Sequence, residues 1–513
     1  MPDILVVQMA RLGDFLQTTP LLSGIKEVCP NNRIHVLIDR SNAEIAKRCV
    51  CVDEIICFDV DLMINEISNT NRAEDVYKVI NKHCSDFKNR YFDDVINLNY
   101  SNISAVLASL PESGRIYGYT LDNSREGLSK DSWFVYFNNM VKHSPLSPFN
   151  LVDYFYYLYC RDIRHKKLKF NFSYDDESNV NKIFNDLNID SENKIIVVHP
   201  GIRHKKRSWP IENYLNLIFK YLEKGNIEII LTGSAEDRSL GDYLLSSLSS
   251  KDKDKFLVHD LIGKTKISET AAIIKKSDLL LCGDTGIMHL AAAVGARILS
   301  LFIGPANVYN TGPYSHGDII IQTISKCGPC LEDIDCIGSG CSHFITPEIV
   351  FDVSMKMFSN SLSDINLPSN LKLHMSEMDD WGVRYKTLNS TSDDILPLMN
   401  ICYREMGKKI ICKDYISNNF DKSAVDNYKI PSINSEYLNS IIKSGRIILN
   451  KAYSDKRWMP EERLKDHNSF WMPWIDSYLE NSEYLDRDNN DYIYALETGL
   501  KIIDEYSSAK CEN

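Results

Sequence analysis

Short apolar runs that alternate with helix-like segments are the feature that most constrains the fold of this chain. Residues 4–7 and 34–38 have the composition of buried strands, and residues 16–28 between them have the pattern of a helix. The same order recurs at 95–98 and 104–110. Because neighbouring parallel strands require crossover helices, this repeated order predicts a parallel sheet covered by helices.

A second strand–helix series follows a polar stretch at residues 174–179, which we predict to be a domain junction. The series begins at 194–201 and continues through 227–233, a strand that ends at Cys282, and 298–302. Two such α/β domains in tandem leave a cleft between them, and the ligands of such sheets bind beyond the carboxyl ends of the strands.

After about residue 350 the pattern changes to helix-like segments that are rich in Asp, Asn, Ser and Tyr. We therefore predict an N-terminal Rossmann-like domain over residues 1–175, a second Rossmann-like domain over 176–350, and a mainly helical extension over 351–513. Several domains are expected for 513 residues, because single hydrophobic cores stop growing beyond about 250–300 residues.

The overall composition is that of a soluble globular protein, with 44% apolar and 25% charged residues. No apolar run approaches the ~20 residues that a membrane span requires, so we expect no transmembrane segment. The N-terminus lacks the basic segment of a signal peptide, which predicts a cytoplasmic protein. A net charge of −12 argues against general nucleic-acid binding. Peripheral membrane contact and a homo-oligomer both stay open.

Residues 283–289 follow an apolar run and precede an alanine-rich helical pattern, so they predict a strand, a tight turn and a helix start. Backbone N–H groups at such a start bind phosphate without a cationic side chain. We expect Thr285 and Gly286 to give close backbone approach, Asp284 to cap the helix, and His289 to face the same ligand. An ordinary turn with a capping aspartate is the alternative.

Three other segments contain residues with the chemistry of a transfer reaction. Asp14 ends the first strand, where a carboxylate can accept a proton from an attacking hydroxyl. In the basic run at 203–207, Lys206 and Arg207 can stabilise a departing nucleotide diphosphate. Glu236 follows another strand and can accept hydrogen bonds from ribose hydroxyls. The alternatives are a helix cap, a solvated charged loop and a surface acid, respectively.

Four motifs together resemble the ADP-heptose heptosyltransferases, glycosyltransferase family 9. They are residues 11–20, residues 207–210, residues 233–236, and residues 283–286 with His289. Their order and spacing match the family over residues 1–350. The resemblance implies a GT-B fold and an inverting transfer of heptose from ADP-heptose, with no catalytic metal.

The resemblance also implies roles for individual residues. Asp14 is expected to be the base, Arg207 to contact the diphosphate, and the nucleotide and sugar to be held by Glu236, Asp284, Thr285, Gly286 and His289. We add Gly13, Thr18 and Lys206 to the expected donor-binding residues. Arg207 stands where family members commonly have Lys, and Arg is an equally charged phosphate ligand. The extension after residue 350 departs from the lipopolysaccharide enzymes, which leaves the acceptor open between a lipopolysaccharide-type glycan and a protein.

Four cysteines lie within fifteen residues, at Cys327, Cys330, Cys336 and Cys341. Thiolates this close can complete a closed tetrahedral site, so we predict a structural zinc or iron ion in the loop 327–341. The alternatives are a redox pair at Cys327 and Cys330, or four thiols without a metal. A four-cysteine iron site also occurs in the related autotransporter-protein heptosyltransferases.

The sequence thus predicts an inverting glycosyltransferase whose partners are a nucleotide sugar and a hydroxyl acceptor. Another nucleotide sugar is the alternative donor, because the motifs constrain the diphosphate better than the sugar ring. Outside the enzyme class, a non-catalytic scaffold that binds nucleotide sugars could have the same fold, since fold does not determine function.

Overall fold

The computed structural model describes most of the first 411 residues and short helical pieces beyond them. The described residues are 1–49, 51–70, 72–121, 127–128, 131–142, 147–160, 167–248, 257–324, 339–362, 365–389, 396–411, 441–443, 445–446, 448, 471, 474 and 495–503. Within these ranges no helix combines the length and the apolar character that crossing a membrane requires.

A five-stranded parallel sheet forms the first domain. Its strands are β1 (Asp3–Gln8), β2 (Arg33–Asp39), β3 (Glu54–Phe58), β4 (Tyr91–Asn97) and β5 (Glu112–Gly118), in the order β3-β2-β1-β4-β5. Two short strands, β6 (Thr120–Leu121) and β7 (Gly127–Leu128), form a separate antiparallel pair. Ile4 and Val6 of β1 pack into one core and Leu5 and Val7 into another, so both faces of the sheet are covered.

Seven helices belong to the described part of the first domain. They are α1 (Leu12–Val28), α2 (Ala43–Ala46), α3 (Val60–Ser68), α4 (Ala73–His83), α5 (Asn102–Ser109), α6 (Ser132–Lys142) and α7 (Leu151–Tyr159). The helix α1 is buried from Phe15 to Ile25 and packs against α7. The predicted strands and helices of the first series therefore form as expected.

A second, eight-stranded sheet begins at residue 194. Its strands are β8 (Lys194–His199), β9 (Ile227–Leu231), β10 (Val258–Asp260), β11 (Leu279–Gly283), β12 (Ile298–Phe302), β13 (Ile319–Thr323), β14 (Leu371–Asp379) and β15 (Gly382–Thr387). The order is β10-β9-β8-β11-β12-β13-β14-β15, parallel up to β13 and antiparallel for the last two strands.

The remaining helices surround this sheet or follow it. They are α8 (Tyr174–Asp186), α9 (Ile211–Lys224), α10 (Arg238–Ser247), α11 (Ile267–Lys276), α12 (Gly286–Val294), α13 (Val308–Thr311), α14 (Pro347–Ser359) and α15 (Leu396–Ile411). The polar stretch 174–179 forms the start of α8, which packs against α11 of the second domain. Since α1 also packs against α12, the two Rossmann-like domains meet in a GT-B-like arrangement.

Strands β14 and β15 differ from the helical extension that the sequence predicts after residue 350. Leu371 and Leu373 alternate with less buried or polar positions, which is the period of a strand. Strand β14 pairs antiparallel to β13 and β15 pairs antiparallel to β14, so the two strands extend the second sheet beyond its parallel part. Because this region is rich in polar residues, the strand pattern of these two short segments is weak in the sequence.

The described C-terminal residues pack on the first domain. Tyr403 and Met406 of α15, with Trp471, Trp474 and Leu496, belong to the same buried cluster as the aromatic residues of α6 and α7. The turn between β14 and β15 joins this contact, because the Tyr157 hydroxyl donates to the Trp381 carbonyl at 3.3 Å. In the described part of residues 351–513, the chain thus covers the first domain and extends the second.

Candidate active site

The side chain of Asp14 lies at the start of α1, directly after the carboxyl end of β1. It occupies the third helical position and accepts a hydrogen bond from the Arg11 backbone N–H at 3.0 Å. Burial raises the pKa of Asp14 above its usual value, although the backbone and the guanidinium of Arg11 oppose this shift. The result is a half-buried carboxylate that is more basic than a free aspartate.

Thr18 and Gly13 have different positions relative to the cleft. The Thr18 hydroxyl is fully buried, donates to the Asp14 carbonyl at 2.9 Å and accepts from Gln8 Nε2 at 3.1 Å. Thr18, expected among the donor contacts, therefore binds within the first domain and holds α1 on β1. At Gly13 a Cβ atom would lie 2.9 Å from His289 Cδ2, so a glycine permits the contact with the second domain.

The predicted strand, turn and helix form at β11 and α12, but Asp284 does not cap the helix. Thr285 is the N-cap residue, and its side chain makes no capping hydrogen bond. The side chain of Asp284, 7% exposed, instead accepts a hydrogen bond from Arg207 Nη1 at 2.7 Å. The strong charge–charge attraction with Arg207 explains why Asp284 turns away from the helix start.

The carboxyl groups of Asp284 and Asp14 influence each other across the domain contact. Burial raises the pKa of Asp284 to about 6, the Arg207 guanidinium opposes the shift, and the negative charge of Asp14 adds to it. Such a charge effect requires the two carboxylates to lie close together. The structure thus brings the predicted base and the predicted helix turn into one site.

Two buried polar atoms beside this turn lack a hydrogen-bond partner within the described ranges. They are Thr285 Oγ1 and His289 Nδ1. His289 is 4% exposed, and burial lowers the pKa of its imidazole to about 4, so the ring is neutral near pH 7. Because buried polar atoms are nearly always paired in folded proteins, both atoms fit contacts to a bound ligand.

Arg207 belongs to a short basic segment that a buried tryptophan follows closely. The basic run forms a short 3-10 helix at Lys205–Arg207, and the indole of Trp209 is buried and donates to the Ile345 carbonyl at 2.7 Å. Lys206 is half-buried, and its carbonyl oxygen lies 2.7 Å from where a Cβ atom on Gly304 would stand. Arg207 is thus directed to Asp284, whereas the Lys206 backbone packs on the Gly304 turn.

Glu236 lies after β9, at the same edge of the second sheet. It is exposed and belongs to the 3-10 turn Ala235–Asp237. The neighbouring Asp237 forms the local turn, because it accepts from the Ser234 backbone N–H at 2.8 Å and from the Ser234 hydroxyl at 2.7 Å. The position of Glu236 agrees with a ligand contact at the carboxyl edge, although no described contact joins it to Asp284.

Residue contacts across the cleft complete the site, and sequence motifs do not reveal them. A Cβ atom on Gly286 would lie 2.8 Å from Leu12 Cδ2, and Arg11 reaches His204, with its Nη1 atom 3.4 Å from His204 Nε2. Arg11 and His204 belong to two motifs almost two hundred residues apart, so only the folded chain shows that they meet.

The predicted metal loop falls largely outside the described residues, which include Cys341 but not Cys327, Cys330 or Cys336. Cys341 belongs to the 3-10 helix Ser339–Phe344 and packs, half-buried, against the core of the second domain. In the part of the chain that the structure describes, no group of three or more His, Cys, Asp or Glu side chains is arranged to hold a metal ion. The prediction for the loop therefore stays a prediction.

Comparisons with known proteins give one family. The sequence model of glycosyltransferase family 9 (heptosyltransferase) matches residues 80–338, about half of the 513 residues. Lipopolysaccharide heptosyltransferase 2 of Escherichia coli is 28% identical over 142 residues, 28% of this chain and 40% of that protein. The lipopolysaccharide core heptosyltransferase OpsX of Haemophilus influenzae is 24% identical over 241 residues, 47% of this chain and 65% of that protein.

The match thus spans about two fifths of the length of the first of these relatives. Among solved structures, the glycosyl transferase family 9 protein of Veillonella parvula superposes with a TM-score of 0.55 at 18% identity, over 70% of this chain and 98% of that one. At that identity the likeness concerns the fold, and it covers both Rossmann-like domains.

Proposed function

The chain belongs to glycosyltransferase family 9, the heptosyltransferase family, and on that premise we propose that it transfers a heptose from ADP-heptose to an acceptor hydroxyl with inversion at the anomeric carbon. The first domain, residues 1–175, would bind the acceptor, and the second, residues 176–350, the nucleotide sugar. Two relatives named as lipopolysaccharide heptosyltransferases support the choice of sugar.

The reaction that we propose is a single displacement. Asp14 accepts the proton of the acceptor hydroxyl while the hydroxyl oxygen attacks the anomeric carbon of the heptose. The bond from that carbon to the ADP oxygen breaks at the same time. Attack from the face opposite to the leaving group inverts the configuration. A pKa raised by burial suits Asp14 to this task, because a more basic carboxylate takes the proton more readily.

The departing ADP carries the negative charge that develops. Arg207, with Lys206 beside it, and the backbone N–H groups at the start of α12 would stabilise this charge. Thr285 Oγ1 and His289 Nδ1 would orient the donor, and Glu236 would accept from the ribose hydroxyls. When ADP binds, the guanidinium of Arg207 would share its charge between Asp284 and the diphosphate.

The contact between the starts of α1 and α12 is the single observation that carries the proposal. Gly13 meets His289 there, and the charge of Asp14 raises the pKa of Asp284. A base on one domain and an anion-binding helix start on the other are what an attack on an activated sugar requires. A scaffold that only bound nucleotide sugars would have no need of a basic carboxylate at this point.

The substitution Asp14→Asn tests the proposal. We expect turnover to fall by about 10²–10⁴-fold, because the amide cannot accept the proton. The dissociation constant of ADP-heptose, measured by calorimetry, should stay unchanged. Glu269 is a matched control, since it also occupies the third helical position and accepts from its N-cap backbone at 2.9 Å, in α11. Glu269→Gln should keep normal turnover.

Near-normal turnover of Asp14→Asn with unchanged donor binding would overturn the mechanism. The same titration with GDP- and UDP-sugars tests the donor, and equal binding of all three classes would remove ADP-heptose as the assigned donor. For the four-cysteine loop we propose a structural zinc or iron ion on the sequence pattern alone, and the metal content of the purified protein decides it.

A further inference from the structure

An exposed aromatic side chain lies at the same sheet edge as Asp14. Tyr100 follows β4, whose carboxyl end is level with that of β1 in the parallel sheet, and it is 62% exposed. Large aromatic side chains dominate interface energetics when they are buried, so an exposed ring at the sheet edge that carries the proposed base is a candidate contact for a ligand. Ligand sites commonly combine such a ring with a few polar groups.

The ring of Tyr100 is supported from behind by two other rings. Its centroid lies 4.5 Å from that of Tyr119 and 5.7 Å from that of Phe134, which is buried. Tyr119 is fixed in turn, because its carbonyl accepts from Asn97 Nδ2 at 2.7 Å and its hydroxyl donates to Asn102 at 3.3 Å. Tyr100 is therefore the outer member of a braced aromatic stack, which we call the Tyr100 platform.

A chain of amide hydrogen bonds connects this platform to the helix that carries Asp14. Asn99 Nδ2 donates to Gln8 Oε1 at 2.7 Å, and Asn99 Oδ1 accepts from the Met9 backbone at 2.7 Å. Gln8 Nε2 donates a hydrogen bond to the Thr18 hydroxyl, which in turn donates to the Asp14 carbonyl. The platform and the proposed base are thus parts of one rigid assembly, as positioning of an acceptor requires.

Among the described residues, the segments that carry Tyr100 and Tyr119 have only uncharged polar groups, and the nearby Asp131 carboxylate accepts from the backbone of Trp133 and Phe134 at the start of α6. Residues 97–104 and 118–121 contain Asn, Ser, Thr and Tyr but no charged residue. Of the arginines that the structure describes at this edge, two already face carboxylates: Arg40 lies 3.7 Å from Asp59, and Arg11 interacts with Asp14. Amides and hydroxyls both donate and accept hydrogen bonds, which matches sugar hydroxyls, whereas a phosphorylated or acidic acceptor would be matched by unopposed cations.

We propose that the Tyr100 platform binds an uncharged sugar ring of the acceptor, with the ring stacked on Tyr100, its hydroxyls oriented by Asn99, and the reacting hydroxyl directed to Asp14. This inference rests on the proposed function and specifies its acceptor as a neutral glycan. In the described part of the chain the Asn99 amide uses one of its two N–H groups, so it retains a donor for a sugar hydroxyl.

The first test measures sugar binding without any transfer. Methyl α-D-mannopyranoside is titrated by saturation-transfer NMR against the full chain in the presence of ADP, with methyl β-D-glucuronide as the acidic probe. We expect the neutral glycoside to bind more tightly than the acidic one. Tyr100→Ala should weaken its binding by about 2- to 10-fold, and Tyr100→Trp should retain it.

Tyr91 gives a matched control, because it begins the same strand at the opposite edge of the sheet and is 58% exposed. Tyr91→Ala should bind the neutral glycoside like the unchanged protein. No binding of the neutral glycoside, preferred binding of the acidic one, or equal loss in both alanine variants would overturn the inference.

Transfer assays then separate this inference from the proposed function. With ADP-heptose and a panel of neutral glycosides, acidic glycosides and Ser- or Thr-containing peptides, Tyr100→Ala should raise the acceptor KM and leave the donor Kd unchanged. Transfer only to peptides or acidic glycosides would sink the neutral-glycan acceptor while leaving the transferase intact. Failure of ADP-heptose to bind would contradict the proposed function. The titration of the neutral glycoside would still test the Tyr100 platform, because it involves no transfer.

Discussion

At the scale of single residues, burial sets the charge of the side chains around the cleft. His289 and Asp284 are both buried beside the start of α12, and burial moves their pKa values in opposite directions, to about 4 and about 6. In both cases the neutral form is favoured, as expected when a charge is moved out of water. The imidazole of His289 is therefore neutral near pH 7, and the charges at the start of α12 are those of the Arg207–Asp284 pair.

The low pKa of His289 leads to a pH dependence of stability. In the unfolded chain the imidazole binds a proton below about pH 6.5, whereas in the folded chain it does so only below about 4, so the unfolded state takes up more protons in between. The contribution of His289 to the free energy of unfolding is therefore complete above pH 6.5 and is lost as the pH falls towards 4. Between pH 8 and pH 5 the loss is about 2 kcal/mol.

The substitution His289→Gln should remove this part of the pH dependence. The melting temperature of the unchanged protein should exceed that of the variant by less at pH 5 than at pH 8. His316→Gln serves as the control, because it makes the same change at an exposed histidine. A difference in melting temperature that stays constant with pH, or that narrows equally for both variants, would contradict the predicted pKa.

That Asp14, Asp284 and His289 lie close together could be predicted from the motifs, but their hydrogen-bond partners could not, and their roles stay predictions. The motif pattern does not show that Asp284 would bind Arg207 instead of capping α12, or that Thr18 would point into its own domain. Partner choice depends on distances between segments that are far apart in the chain.

At the scale of elements, the close contact between α1 and α12 depends on Gly13 and Gly286, because a Cβ atom at either position would collide with the other helix. A Cβ atom at Gly13 would stand 2.9 Å from the buried ring of His289, which cannot move easily. Gly13→Ala should therefore weaken the domain contact by about 1–3 kcal/mol, a cost typical of overpacking. Without that contact, alanine would stabilise a helix relative to glycine by about 1 kcal/mol, so the sign of the effect is informative.

The effect of Gly13→Ala is checked by melting temperature and by the calorimetric Kd of ADP-heptose. We expect a lower melting temperature and weaker donor binding. Gly340→Ala is the control, because a Cβ atom there would meet no atom of the described residues within 4 Å. A higher melting temperature for Gly13→Ala would show that the two helix starts are not in contact in solution.

Elements with a strong local period were also the easiest to predict from the sequence. The strands β1, β2, β8, β9, β11 and β12 are short runs of buried aliphatic residues, and each is found where its run lies. Strands β14 and β15 have a mixed polar composition and are stabilised by pairing, β14 with β13 and β15 with β14, so the sequence alone suggests helix there.

At the scale of the whole molecule, a second contact far along the chain joins the two domains and α15. Asn150 Nδ2 in the first domain donates to the Gly312 carbonyl at 3.2 Å, and the Tyr314 hydroxyl donates to Asp153 at 2.6 Å. Arg404 of α15 donates to the Pro148 carbonyl at 2.7 Å and to Asp379 at 2.6 Å. In the described residues, Arg404 therefore joins the first domain to β14 of the second sheet.

Arg404 of α15 contacts the first domain at Pro148 and the second sheet at Asp379, and its side chain is buried. Arg404→Met keeps much of the packing volume but removes the donor to Asp379 and to the carbonyl groups of Pro148 and Val383. We therefore expect the free energy of unfolding to fall by about 3–5 kcal/mol. Because the cleft is formed by the same two domains, donor binding should weaken in parallel, although Arg404 is not among the residues proposed to contact ADP-heptose.

Arg384 offers a comparison, because it lies on β15, in the same β14–β15 hairpin as Asp379. It pairs with Glu377 at 3.0 Å, but its side chain is 32% exposed and the pair lies within the second domain. Arg384→Met should cost about 0–1 kcal/mol, as exposed ion pairs usually do, and should leave the Kd of ADP-heptose unchanged. If both variants lowered the melting temperature equally, or if Arg404→Met destabilised the protein without affecting donor binding, the extension would stabilise the first domain alone and would not set the geometry of the cleft.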